Sequence, residues 1–175
     1  MAYIKKILFR LKFVTKISEK GFLSPNIRTQ LILYYFFKFF FGLNKNCKFP
    51  VNFTSIVIMP ERIKLGKNVW KSFLLSGNCY IQGINGIEIG DNTIFAPGVK
   101  IISADHNLIK LNEHKFCEPI KIGKNCWLGA NSIILPGVEL ADNIVVAAGA
   151  VVTKSFYEKN IVIGGVPARI IKRIL

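Results

Sequence analysis

The sequence predicts an all-β fold, a parallel β-helix of hexapeptide repeats, with a helical extension before it and a short closing helix after it. Three observations lead there. Between Ile122 and Phe156 (IGKNCWLGANSIILPGVELADNIVVAAGAVVTKSF) an aliphatic residue recurs at every sixth position: Ile122, Leu128, Ile134, Leu140, Val146 and Val152. A second series follows four places after each of these, Cys126, Ser132, Val138, Ile144, Ala150 and Phe156, and it is mostly small or apolar. Gly66, Asn68, Gly90, Asn92, Gly123 and Asn125 sit at or beside the expected corners, where these residue types tolerate the positive φ that a tight corner can demand. Neither a helix of about 3.6 residues per turn nor an alternating strand holds such a register, whereas a coil with flat sides of six residues does.

At 175 residues and 51% hydrophobic, the chain suits one domain with a real core plus an extension. The extension is residues 1–45, read as helical, basic and rich in aromatics. It begins like an export signal (MAYIKKILFRLKFVTKIS), but Arg10, Lys12 and Lys16 interrupt any apolar run and no small-residue cleavage site follows. Leu31 to Gly42, LILYYFFKFFFG, holds seven aromatic residues in twelve, is broken by Lys38, and is shorter than the about 20 apolar residues a bilayer span needs. Two readings stay open for it. One is a helix packed on the β-helix end or on a neighbouring subunit; the other is an interfacial helix, aromatics at headgroup depth, with Lys5, Lys6, Arg10, Lys12, Lys16 and Lys20 drawn to anionic lipid.

The charge is uneven in the same direction. Lys and Arg outnumber Asp and Glu by 24 to 10, and residues 1–60 hold ten basic residues against one acid, Glu19. Acidic partners are expected, but not nucleic acid: the basic run has no recognised nucleic-acid-binding fold and the repeat offers no aromatic platform. The four cysteines, Cys47, Cys79, Cys117 and Cys126, show no C-x-x-C spacing, and the chain has only two histidines, so no metal site is expected. Cys126 falls on the inward series as a small core residue. A reducing, cytoplasmic setting fits, at the inner face of the membrane if the extension binds lipid.

From Lys48 to Arg62 the pattern turns to short β-prone runs, and the repeat domain is placed at residues 46–165. The six-residue count starts near Leu65. Val69, Leu75, Ile81, Ile87, Thr93 and Val99 keep one register and Ile89, Phe95 and Ile101 the other, so an unbroken frame is expected from Leu65 to His106. Ile101 and Ile122 are 21 residues apart, not a multiple of six, which requires an inserted loop at about 107–119. Such a loop on a rigid scaffold is a natural carrier of function. Val166 to Leu175, VPARIIKRIL, reads as the closing helix.

The long repeat stretch, followed by IVIGGVPARIIKRI, is similar to the C-terminal half of the hexapeptide-repeat acyltransferases, and IEIGDNTIFAPGVKIISADHN to the coils before it. Within that superfamily it most resembles the maltose and galactoside O-acetyltransferases and the relatives that acetylate bacterial surface polysaccharides. The resemblance runs from about Leu65 to Ile174. It implies a left-handed β-helix, against the usual right-handed crossover, a homotrimer, and acetyl-CoA lying between neighbouring subunits, with a sugar or polysaccharide as acceptor.

The resemblance also assigns residues. His106, the last residue before the insertion, matches the catalytic histidine, and imidazole suits a general base that takes a proton from an attacking hydroxyl. His114, deeper in the loop, is read as an exposed residue. Asn78 falls where the galactoside enzymes have an asparagine that contacts the acceptor sugar and assists at the reacting centre; a plain corner asparagine is the alternative. The family's acidic acceptor residue would fall near Gly83 or Ile84 and is missing. Asp105 is acidic where the relatives have a small residue; it would contact the acceptor or tune the histidine, with a solvated turn residue as the alternative. Trp127, Gly129, Ala130, Ala148, Thr153, Lys154 and Arg169 match the cofactor-binding positions. Small residues there admit the pantetheine arm, a backbone amide near Ala130 would hold the thioester oxygen, and Lys154 and Arg169 would meet phosphates. The expected activity is O-acetylation of a sugar. N-acetylation of an amino sugar and an inactive scaffold are the alternatives.

Overall fold

The computed structural model describes residues 25–174. Three parallel sheets form the sides of a triangular coil. Side A stacks β1 (Ile56–Ile58), β3 (Tyr80–Gln82), β6 (Lys100–Ile102), β9 (Ile133–Ile134) and β12 (Val151–Val152). Side B stacks β2 (Ile63–Leu65), β4 (Ile87–Ile89), β7 (Ile120–Ile122) and β10 (Glu139–Leu140). Side C stacks β5 (Ile94–Phe95), β8 (Trp127–Leu128), β11 (Val145–Val146) and β13 (Ile161–Gly165), and ends in β14 (Ala168–Arg173), antiparallel to β13. Trp127 pairs with Val145 and Ile133 with Val151, so a regular coil takes eighteen residues. Ile122, Leu128, Ile134, Leu140, Val146 and Val152 are all buried, as is every member of the second series from Cys126 to Phe156. Each aliphatic side chain packs on its counterpart one coil away, which hides the stack from water.

The expected unbroken frame from Leu65 to His106 is interrupted twice. Ile63 pairs with Ile87, a coil of twenty-four residues, because a short helix, Trp70–Leu75, bulges from it. That insertion is six residues long, so it leaves the count by six intact while moving Leu75 out of the wall, where it is 42% exposed. Tyr80 pairs with Lys100, a coil of twenty, and the frame slips by two at the Gly83–Gly86 turn. Ile81 and Ile101, which the count placed in different series, therefore stack on each other.

Helix α1 (Pro25–Phe40) lies against the first coils through Ile27, Leu31, Tyr34 and Tyr35. The Tyr34 hydroxyl donates to the Phe49 carbonyl at 3.3 Å, Lys38 Nζ donates to Tyr34 Oη at 2.7 Å and to the Cys47 carbonyl at 2.8 Å, and Phe37 stacks on Phe53 with centroids 4.4 Å apart. The helix stops at Phe40, short of residue 45; residues 1–24 of the expected helical extension lie outside the described residues.

The expected closing helix over 166–175 is not formed. Ala168–Arg173 instead pairs as β14 along β13, with Gly165 opposite Ala168 across a tight turn. The open edge of β13 presents backbone donors and acceptors that a strand satisfies directly and a short terminal helix could not. The outward faces differ by side. Lys64, Glu88, Lys121 and Glu139 alternate in sign along B, whereas Ile94, Trp127, Val145 and Val162 run in register along C.

Buried hydroxyls in the core are bonded with one exception among the described residues. Ser76 Oγ donates to the Phe95 carbonyl at 2.6 Å, while Ser132 Oγ is buried without a partner. Ser132→Ala is expected to stabilise the fold by about 1 kcal/mol and Ser76→Ala to destabilise it by a similar amount, read by chemical denaturation. The thiols make a second test. Burial pushes the Cys47 thiol up to about 11 against the opposing pull of Lys38, and burial likewise raises Cys79 and Cys126. At mildly alkaline pH the native protein should react rapidly with a thiol reagent at Cys117 alone, and at all four cysteines once unfolded.

Candidate active site

Between β6 and β7 the coil opens into a loop. Lys100 pairs with Ile133, thirty-three residues on, so the loop adds fifteen residues to a regular coil. Ser103 and Ala104 remain buried at its base, and Asp105 and His106 emerge into solvent. His106 is thus inside the loop rather than before it, bridged antiparallel to His114. The Asn107 amide donates to the Glu113 carbonyl at 2.8 Å, and the Lys115 amide donates to the Asp105 carbonyl at 2.8 Å. Asn107 Oδ1 accepts from the Ile109 and Lys110 amides, closing the tip.

The two histidine rings lie face to face at an angle, centroids 4.7 Å apart and 38° between planes. His106 Nδ1 is 2.6 Å from the Leu111 carbonyl oxygen. A carbonyl only accepts, so Nδ1 carries a hydrogen, and in the neutral ring the lone pair is on Nε2. The loop thereby selects the tautomer in which the outer nitrogen is the base. Among its charged residues the loop also exposes large apolar ones: Leu108 and Ile109 are 92% exposed, and Leu111 and Phe116 are exposed as well.

One residue that the sequence pattern did not single out holds this loop in place. Asn85 lies in the two-residue slip between β3 and β4. Its backbone amide donates to Ser103 Oγ at 2.9 Å, and its side-chain amide donates to the Ser103 carbonyl at 2.9 Å and the Lys115 carbonyl at 3.0 Å. It ties both legs together one coil away. Gln82 Oε1 accepts from the Ala104 amide at 3.0 Å and anchors the outgoing leg. The six-residue count gave no signal of it, because a slip of two exchanges one apolar series for the other.

Asn78 is elsewhere. It occupies the left-handed corner leading into side A, with φ 56°, and its amide donates to Thr54 Oγ1 at 2.9 Å. His106 leaves the opposite end of the same side. Asn78 precedes β3 and His106 follows β6, and no hydrogen bond or ring contact joins them. Asp105 is exposed beside His106, its carbonyl engaged in closing the loop.

The cofactor candidates fall into two groups. Trp127 faces outward on β8, half exposed, and the chain then turns through Gly129 and Ala130. A Cβ on Gly129 would lie 2.6 Å from the Ala148 amide nitrogen, so only glycine lets the coils stack here, and the Ala130 carbonyl accepts from the Gly149 amide at 2.8 Å. The result is a smooth corner of backbone and small side chains. The second group lies at the last coil, where Lys154 and Arg169 line an open groove of about 400 Å³ with Phe156, Tyr157 and Ile170. Lys154 Nζ sits 5.7 Å from the centre of the Phe156 ring. Glu158, on the same groove, is taken by Arg173 at 2.6 Å, so the ion pairs of the described residues leave Lys154 and Arg169 uncompensated. Thr153 is exposed beside them, in the column that contains Ile102, two strands away. The described residues contain no cluster of three or more potential metal ligands.

The coil geometry defines a class, and the sequence comparisons agree with it. The family model described as "Hexapeptide repeat of succinyl-transferase" matches residues 119–154, within the regular coils. Its relatives include the galactoside O-acetyltransferase of Escherichia coli (strain K12), 36% identical over 117 residues that span 65% of this chain and 55% of that protein. Among solved structures it is similar to a maltose O-acetyltransferase from Clostridium difficile 630 (TM-score 0.59, 35% identity, 69% of this chain and 64% of that one). It is similar also to a galactoside acetyltransferase in complex with coenzyme A (TM-score 0.60, 33% identity, 69% and 60%). The chain thus spans between 55% and 64% of these relatives' own lengths. The likeness to these structures implies left-handed coiling.

The Asn85 clamp has a measurable consequence. Asn85→Ala should leave the β-helix folded, lower its stability by about 1 kcal/mol, and raise the rate of tryptic cleavage at Lys110 and Lys115 as the loop legs separate.

Proposed function

We propose that this protein transfers the acetyl group of acetyl-CoA directly to a hydroxyl of a sugar, with His106 as general base. The observation that carries this is the Nδ1 contact with the Leu111 carbonyl, which leaves Nε2 as an outward-facing base on an exposed loop. In the reaction, Nε2 takes the proton of the acceptor hydroxyl as its oxygen attacks the thioester carbonyl carbon. A backbone amide at the Ala130 corner stabilises the developing oxyanion. The carbon–sulfur bond then breaks, and His106 returns its proton to the departing thiolate of coenzyme A. The uncompensated charges of Lys154 and Arg169 suit the nucleotide phosphates, and the Gly129–Ala148 corner suits the pantetheine arm. A sugar acceptor agrees with the galactoside and maltose acetyltransferases that this chain is similar to; the narrower class, a bacterial surface polysaccharide or its lipid-linked precursor, rests on the branch resembled.

The site is proposed to lie between subunits of a homotrimer. Asn78 and His106 leave opposite ends of side A, and an acceptor that touches both would take them from two copies. The apolar column of side C and the exposed Leu108, Ile109, Leu111 and Phe116 are surfaces that a neighbouring copy would cover. The charged column of side B would face water.

Release of free thiol from acetyl-CoA, measured across hydroxyl sugars and amino sugars, tests the reading. Hydroxyl acceptors should turn over, and turnover of amino sugars alone would replace O-transfer with N-transfer. His106→Ala is expected to lower kcat about 10³-fold with the oligomer mass unchanged. Lys154→Ala and Arg169→Ala should each raise KM for acetyl-CoA roughly tenfold with little change in kcat.

A further inference from the structure

Helix α1 turns one face to the β-helix and leaves another bare. Phe40 and Phe41 are 63% and 65% exposed, and Phe36 and Leu43 are exposed beside them. These side chains form one patch: the Phe36 ring centroid lies 4.9 Å from that of Phe40 and 6.2 Å from that of Phe41, and Phe37 lies 5.5 Å from Phe41. Phe37 is in turn stacked on Phe53 at 4.4 Å, so the patch is pinned to the first coil instead of trailing from it. Exposed aromatic clusters of this kind are rare on a protein that meets only water.

The charge around the patch selects its occupant. Residues 25–60 contain no Asp or Glu and carry Arg28, Lys38, Lys45 and Lys48, with Lys45 and Lys48 exposed. Residues 1–24 add six basic residues against Glu19. A second copy docked on this face would set like charge against like charge. An anionic lipid surface gains from both features, burying the aromatic rings at headgroup depth while the lysines meet phosphate. α1 has sixteen residues, and no described helix is long and apolar enough to cross a bilayer. We infer that the Phe36–Phe40–Phe41–Leu43 face docks the protein on the surface of an anionic membrane, lying on it and not spanning it.

The experiment is vesicle co-sedimentation of the full chain with phosphatidylcholine alone and with phosphatidylcholine plus phosphatidylglycerol, at low and high salt. The wild type should pellet with the anionic vesicles, be released as salt screens the lysines, and remain in solution with phosphatidylcholine alone. Phe40→Ser together with Phe41→Ser should weaken vesicle binding about tenfold or more, since two buried rings are lost, with the oligomer mass and thiol release from acetyl-CoA unchanged. Failure of the wild type to bind anionic vesicles, or equal binding by the double variant, would overturn the inference. So would a fall in oligomer mass in the double variant, which would assign the face to contact between copies. Thiol release, read in the same samples, keeps this outcome separate from that of the acetyl-transfer proposal.

Discussion

Each regular coil must turn three corners in eighteen residues while its backbone stays within hydrogen-bonding distance of the coils above and below. Between sides B and C that constraint is met by a repeated pair. A Cβ on Gly90 would lie 2.7 Å from the Gly123 carbonyl carbon, and one on Gly123 would lie 2.6 Å from the Asp142 amide nitrogen, so the glycines permit the spacing. Asn68, Asn92, Asn125, Asn143 and Asn160 then turn the chain in the left-handed region. Asn68 Nδ2 donates to Asn92 Oδ1 at 2.7 Å and Asn143 Nδ2 to Asn160 Oδ1 at 2.9 Å, so the corner is also a ladder of side chains. Asp142 Oδ1 accepts the Lys124 amide at 2.8 Å, and this bond foremost holds the Asp142 carboxyl below its usual range. With the corners set, the flat sides need only aliphatic residues of constant size.

A wall so regular has little room for chemistry, and the candidate site forms where the regularity breaks. The fifteen residues inserted after β6 leave the coil as a closed hairpin, and its internal bonds fix the ring of His106 through the Leu111 carbonyl. The hairpin is fastened by Asn85, itself available because the preceding coil is two residues too long. One irregularity therefore supports another. The cofactor positions obey the opposite logic: Gly129 and Ala148 belong to regular coils, where close stacking leaves a smooth surface with backbone amides at hand.

The membrane-facing reading of α1 and the subunit-shared reading of the loop rest on the same kind of observation. Phe40 and Phe41 on the helix, and Leu108 and Phe116 on the loop, are large apolar groups that a lone chain leaves wet. Charge separates the two surfaces. The loop mixes Asp105, Glu113 and Glu118 with its lysines, whereas residues 25–60 hold cations alone.

From Ile122 to Phe156 the coil was legible residue by residue, because each position repeats the same environment and burial is set by register alone. The loop was legible as a break in that register, and His106 through resemblance at the break. From Leu65 to Ile101 the count misled, since an inserted helix of six residues does not disturb a period of six and a slip of two merely exchanges one apolar series for the other. At the C-terminus, local pattern favoured a helix, but the open edge of β13 decided for a strand. Sequence by itself determined the periodic wall and the place of the insertion, both of which depend on neighbours fixed by the repeat. Only the tertiary structure decided the tautomer of His106, the clamp by Asn85 and the pairing of β14, because each depends on groups brought together from different coils, at distances along the chain that no local pattern encodes.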